Sequence, residues 1–61
     1  MDTKELLIYG LSVFNGEEDK FQRWFNKNNY SIGGIPAELC KTDGGIKIVK
    51  EALNRIEYGN F

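Results

Sequence analysis

The last quarter of the chain carries the pattern that most narrows what it can fold into. In the segment GIKIVKEALNRIEYG, apolar residues recur three or four positions apart, at Ile46, Val49, Ala52, Leu53 and Ile56. This spacing places them on one face of an α-helix and leaves most charged residues on the other. Thr42 or Asp43 is placed to cap the N-terminus. The pattern predicts an amphipathic helix that begins near these residues and ends at Gly59.

The first segment, TKELLIYGLSVF, is predicted to form another helix. It contains an apolar stripe with helical spacing, formed by Leu7, Leu11 and Phe14. Leu6 and Val13 flank this stripe. Asp2 or Thr3 can cap it. Gly10 lies within the stripe, where glycine weakens a helix, so we expect it to allow close approach to a neighbouring helix. Ile8 and Val13 make a strand the main alternative, and the periodicity favours the helix.

The second segment, NGEEDKFQRWFNKNN, begins with a pattern that resembles a capping box. Asn15 is followed three residues later by Glu18, which predicts that the helix is capped by Asn15. Three aromatic residues follow at helical spacing: Phe21, Trp24 and Phe25. In so small a protein we expect them to form core rather than an exposed binding anchor. Asn28 and Asn29 are expected to end the helix.

The third segment, SIGGIPAELCKTDGG, contains the residues that break helices. Gly33 and Gly34 predict a turn, and Pro36 is placed to begin a short helix. The chain is thereby divided into four helical segments with short connections. The sequence predicts an all-α fold, a small compact bundle of three to four short helices, with residues 1–61 forming a single domain.

Composition excludes several classes of function. The formal net charge is −1, and no block of Lys and Arg supplies the positive surface that nucleic-acid binding needs. One cysteine and no histidine exclude zinc sites of the Cys/His kind. No signal peptide is evident, and no stretch approaches the roughly 20 apolar residues of a membrane span. These features predict a cytoplasmic protein without membrane or direct nucleic-acid contact.

Catalytic and metal-binding patterns have little support. The commonest general acid–base residue is missing, and no nucleophile-elbow, Walker or dinucleotide-binding pattern occurs. The glycine pairs in SIGGIP and TDGGIK fit turns better than phosphate loops. Three consecutive acids, residues 17–19, fit a helix N-terminus better than a metal site. Cys40 is expected to be a buried small hydrophobe. We therefore expect no enzyme activity, no cofactor and no metal.

The C-terminus ends on aromatic residues that few later residues can cover. Tyr58 and Phe61 flank Gly59 and Asn60 at the end of the last predicted helix. An exposed apolar end is a recognised sign of an interaction surface. Two alternatives stay open at this point: the aromatic residues contact a partner, or they pack back onto the bundle.

Residues 10 to 61 resemble a known family, the C-terminal toxin-binding domain of the Xre/MbcA/ParS antitoxins of bacterial type II toxin–antitoxin systems. The family pattern runs from a VF segment through a tryptophan block and a Gly-x-x-Pro turn to a last helix ending L-x-R-I-x-x-G. The matching residues are Val13, Phe14, Trp24, Phe25, Asn29, Ile32, Gly34, Pro36, Leu39, Thr42, Gly45, Val49, Leu53, Arg55, Ile56 and Gly59. Phe25 stands where the family usually has Leu, and Asn28 replaces its usual Pro.

The resemblance implies neutralisation of a partner protein. In this family the domain binds a RES-type toxin, an enzyme that consumes NAD or transfers ADP-ribose, and the antitoxin's C-terminal end covers the toxin's active-site entrance. The partner-binding residues implied here form what we call the C-terminal contact set: Arg55, Tyr58, Gly59, Asn60 and Phe61. NAD would belong to the toxin, and this chain would hold no cofactor.

Two further expectations concern the length of the native chain and an alternative function. Family antitoxins generally carry an N-terminal helix-turn-helix DNA-binding domain, and the sequence lacks one, which predicts either a minimal stand-alone member or a fragment. The alternative function is a homodimerisation or protein-interaction module of a transcriptional regulator without a toxin partner. A DNA-binding regulator would require a longer native chain.

Overall fold

The computed structural model describes residues 2–59, and within them the chain forms four helices and no strand. The helices are α1 (Thr3–Val13), α2 (Glu18–Phe25), α3 (Pro36–Leu39) and α4 (Asp43–Tyr58). α4 packs against α1 and α3, and α2 packs against the same two helices. The all-α prediction is confirmed.

The core is one apolar cluster to which every helix or its flanking residue contributes. Its buried members are Leu6, Phe21, Phe25, Cys40, Ile46, Val49 and Leu53. The aromatic part is made of tilted rings, with centroids 5.2 Å apart for Phe21 and Phe25 and 5.7 Å apart for Phe14 and Phe21. Trp24 is half-buried at the edge of the core, with its ring centroid 6.0 Å from that of Phe14. The aromatic residues of α2 are therefore core, as their spacing predicts.

α1 begins where predicted and ends one residue earlier, at Val13, and it has a different buried face. The Asp2 side chain caps the helix by accepting the Glu5 N–H at 2.8 Å. Leu6 and Gly10 are buried, whereas Leu7 and Leu11 of the predicted stripe are only half-buried. The prediction centred the stripe one residue too far along, because apolar residues on both sides of it gave two overlapping helical faces.

The start and end of α2 were predicted wrongly. Asn15 adopts a left-handed conformation with φ of 57° and does not cap the helix. Glu17 is the N-cap residue and makes no capping hydrogen bond through its side chain. The helix ends at Phe25, and the Asn26 side chain folds back to donate to the Gln22 carbonyl at 2.8 Å. Asn28 and Asn29 therefore belong to the following loop.

The loop before α3 is closed by Asn29 and Gly34. These two residues form a bridge in which each backbone N–H donates to the other's carbonyl, at 2.9 and 3.2 Å. Gly33 has φ of 87°, a conformation that side chains disfavour. Pro36 then opens α3 at its first position and is itself buried. The predicted turn and helix start are thus both present.

α4 agrees with its prediction at both ends. The Thr42 hydroxyl accepts the Gly45 N–H at 3.0 Å, which satisfies one of the free donors of the first turn. Gly59 closes the helix in a left-handed conformation with φ of 67°, and its N–H donates to the Arg55 carbonyl. The apolar stripe is buried from Ile46 to Leu53, and Ile56 beyond it is half-buried.

Candidate functional site

The end of α4 brings together three of the five residues of the C-terminal contact set. Arg55 and Tyr58 are one turn apart and both are exposed, with 70% of the Tyr58 surface open to solvent. Gly59 follows directly and is also exposed. Asn60 and Phe61 lie outside the described residues. Of the two alternatives left open for Tyr58, packing back onto the bundle does not occur within residues 2–59.

Glu57 shapes the electrostatics of this end of the helix. A hydrogen bond with the Glu57 carboxylate raises the pKa of the Tyr58 hydroxyl, and the negative charge of the same carboxylate adds to the effect. A tyrosine hydroxyl ordinarily keeps its proton at neutral pH and the upward shift leaves this unchanged, so Tyr58 is a neutral hydrogen-bond donor. The exposed surface therefore combines a cation at Arg55, an anion at Glu57 and an aromatic donor.

A tyrosine of α1 lies beside this surface. The Tyr9 hydroxyl donates a hydrogen bond to the side-chain oxygen of Asn54, one turn before Tyr58. Partial burial raises the pKa of Tyr9, and the Glu57 charge raises it further. Sequence reasoning missed both Tyr9 and Asn54. They are 45 positions apart, and no local spacing pattern joins them.

The other candidate residues lie elsewhere. Cys40 is 6% exposed and belongs to the core, so it is the buried small hydrophobe that was expected. Burial raises the pKa of its thiol, which makes the nucleophilic thiolate scarce. Within residues 2–59, no group of three or more acids and cysteine is arranged to hold a metal ion. The acids at 17–19 lie at the N-terminus of α2, where Glu17 pairs with Lys20 at 3.2 Å.

Tyr30 is the most exposed large hydrophobic residue of the described part of the chain, at 91%. It lies in the loop closed by Asn29 and Gly34, whereas Tyr58 lies at the end of α4. The Asn29 side chain accepts from both the backbone N–H and the hydroxyl of Ser31, at 3.1 and 2.6 Å. No sequence pattern indicates a role for Tyr30. Its side chain therefore provides a comparison for Tyr58.

No helix within residues 2–59 has the length and hydropathy to cross a membrane. Comparison with known proteins found no significantly similar curated protein and no significantly similar solved structure. A family model described as the antitoxin Xre/MbcA/ParS C-terminal toxin-binding domain matches residues 10–59. That range includes α2, α3, α4 and the exposed Arg55, Tyr58 and Gly59. The chain therefore belongs to the Xre/MbcA/ParS antitoxin family of toxin-binding domains, which is not a class of enzymes.

Proposed function

We propose that this domain neutralises a RES-type toxin, an enzyme that consumes NAD or transfers ADP-ribose, by covering its active site with the C-terminal contact set. Family membership supports a toxin as the partner. The observation that carries the placement of the contact is Tyr58, which is 70% exposed at the last position of α4. A large aromatic side chain that its own fold leaves open is suited to anchor a partner.

The chemistry of this end supports the same role. Tyr58 offers a hydrophobic ring and a protonated hydroxyl, and the exposed Arg55 one turn earlier offers a guanidinium group that can bind carboxylates bidentately. Gly59, in a left-handed conformation, ends the helix directly after Tyr58. In this proposal the domain acts by binding alone, in the bacterial cytoplasm, and the single domain of residues 1–61 is sufficient to bind.

The test measures neutralisation of toxicity in cells that express a RES-type toxin encoded by the neighbouring gene. A variant with Tyr58→Ala and without Asn60 and Phe61 is expected to lose protection while keeping its helical circular dichroism spectrum. Tyr30→Ala is the matched control, because it removes another exposed tyrosine from a different region. If the variant that lacks these aromatic residues is folded and still protects fully, the assignment of the C-terminal contact set is refuted.

A second candidate function is self-association of a transcriptional regulator's interaction module. It is favoured by Ile8, which is 63% exposed on α1 and lines a surface groove. The groove's other lining residues are the apolar Leu7, Leu11 and Phe21 and the polar Glu18 and Gln22. Paired copies would cover this apolar surface. Sedimentation analysis discriminates: a tight dimer that Ile8→Lys dissociates, together with no binding to the RES-type toxin, would favour this function over the first.

A further inference from the structure

The last turn of α4 has few contacts of its own with the core. The fully buried residues of the helix end with Leu53, and after it only Ile56 is half-buried. Arg55, Glu57 and Tyr58 are all exposed. Helix ends that lack packing fray in solution, so something else has to fix the direction in which Tyr58 points.

One hydrogen bond is placed to do this. Within residues 2–59, the bond from the Tyr9 hydroxyl to the Asn54 side chain is the one that joins distant parts of the chain through two side chains. The other side-chain hydrogen bonds of this region join residues no more than four positions apart. It connects α1 to α4 at the border between the buried and the exposed part of α4.

The position of Asn54 relates this bond to the proposed contact surface. Residues four apart in a helix lie on the same side, so Asn54 and Tyr58 are neighbours along one edge of α4. The negative charge of Glu57 raises the pKa of both the Tyr9 and the Tyr58 hydroxyl. Tyr9 precedes the family match, which begins at residue 10.

We propose that Tyr9 is a positioning residue, whose hydrogen bond to Asn54 holds the last turn of α4 in the orientation that presents Tyr58 to the partner. This inference rests on the proposed function for its consequence in binding. The bond adds a fixed point one turn before the exposed aromatic side chain, so the partner meets an ordered helix end rather than a frayed one. Ordering a contact before association reduces the entropy lost on binding.

The first experiment measures the helix end without any partner. Hydrogen exchange followed by NMR is compared for the wild type, Tyr9→Phe, Asn54→Leu and the double variant. Each single change is expected to speed exchange of the Glu57, Tyr58 and Gly59 amides about 3- to 10-fold, the range for loss of one net hydrogen bond. The double variant is expected to match the single ones. Tyr30→Phe, which removes an exposed hydroxyl elsewhere, should change nothing.

The second experiment measures affinity for the purified RES-type toxin. Tyr9→Phe is expected to weaken binding by a similar factor and to have no further effect when Tyr58→Ala is already present. Unchanged exchange at the helix end, or faster exchange with unchanged affinity, would overturn the positioning role. Normal affinity of Tyr58→Ala would instead count against the proposed contact set, while the exchange data still decide whether Tyr9 orders the helix end.

Discussion

Gly45, in the first turn of α4, packs directly against the backbone of Leu39. A Cβ atom placed on Gly45 would lie 2.5 Å from the Leu39 carbonyl carbon and closer still to its oxygen. Backbone atoms cannot rotate away as a side chain can. The contact between α3 and α4 therefore requires glycine at position 45.

We predict that Gly45→Ala lowers the free energy of unfolding by about 3 kcal/mol, because the two helices must separate to admit the methyl group. This is a large part of the about 3–9 kcal/mol expected for a chain of this length. Gly44→Ala is the matched control, since nothing lies within 4 Å of its Cβ position. It should raise stability by about 0.5 kcal/mol. Urea unfolding of both variants measures the difference, and equal effects would contradict the packing argument.

Gly10 allows α1 to approach the ring of Phe21. A Cβ atom at Gly10 would lie 2.7 Å from Phe21 Cζ, and Phe21 is itself buried. We predict that Gly10→Ala costs about 1–3 kcal/mol of stability. The smaller side chain of Phe21→Leu should recover part of this loss when the two changes are combined. Ser12→Ala, an exposed position of the same helix, should be neutral or slightly stabilising. Strict additivity of the two core changes would argue against the contact.

Asn15 tests the left-handed connection before α2. At φ of 57°, a β-branched residue is strongly disfavoured and glycine is readily accepted. We predict that Asn15→Thr lowers stability by about 1–2 kcal/mol and that Asn15→Gly leaves it unchanged or higher. If Asn15 were a helix N-cap, Asn15→Thr would change stability little, because threonine is a good N-cap residue. Thermal unfolding of both variants separates these two roles of Asn15.

The buried Cys40 thiol predicts a dependence of stability on alkaline pH. Its pKa is raised in the folded state, so the contribution of the neutral thiol is complete below the unfolded value of about 8.5. As the pH rises further, the unfolded chain loses its proton first and the free energy of unfolding falls. The stability difference between wild type and Cys40→Ala should narrow between pH 7 and pH 10 in urea titrations. A constant difference would show that the thiol is as exposed as in the unfolded chain.

The parts of the fold that were predicted correctly are those specified by neighbouring residues. α4 has a long apolar repeat, a capping threonine and a terminal glycine, and these local signals agree with each other. The start of α2 was predicted wrongly because Asn15 and Glu18 have the spacing of a capping box. Asparagine also tolerates a left-handed conformation, and this is the conformation that Asn15 adopts. Two residues with the right spacing could not distinguish these roles.

The candidate site shows the same limit. Arg55, Tyr58 and Gly59 could be placed at the end of one helix because helical geometry relates residues a few positions apart. The bond between Tyr9 and Asn54 depends on how α1 lies on α4, which no local pattern encodes. The buried face of α1 was shifted for the same reason, since Leu6 and Gly10 face inward only because of what packs against them.

The distribution of the core along the chain has a consequence for biosynthesis. Within residues 2–59, the last helix contributes half of the buried hydrophobic residues: Ile46, Val49, Ala52 and Leu53. While the ribosome is still making residues before position 46, the emerging polypeptide cannot assemble a complete apolar interior. Folding must therefore wait until α4 has been synthesised, and a product that terminates before α4 would be an unstructured substrate for cellular proteases.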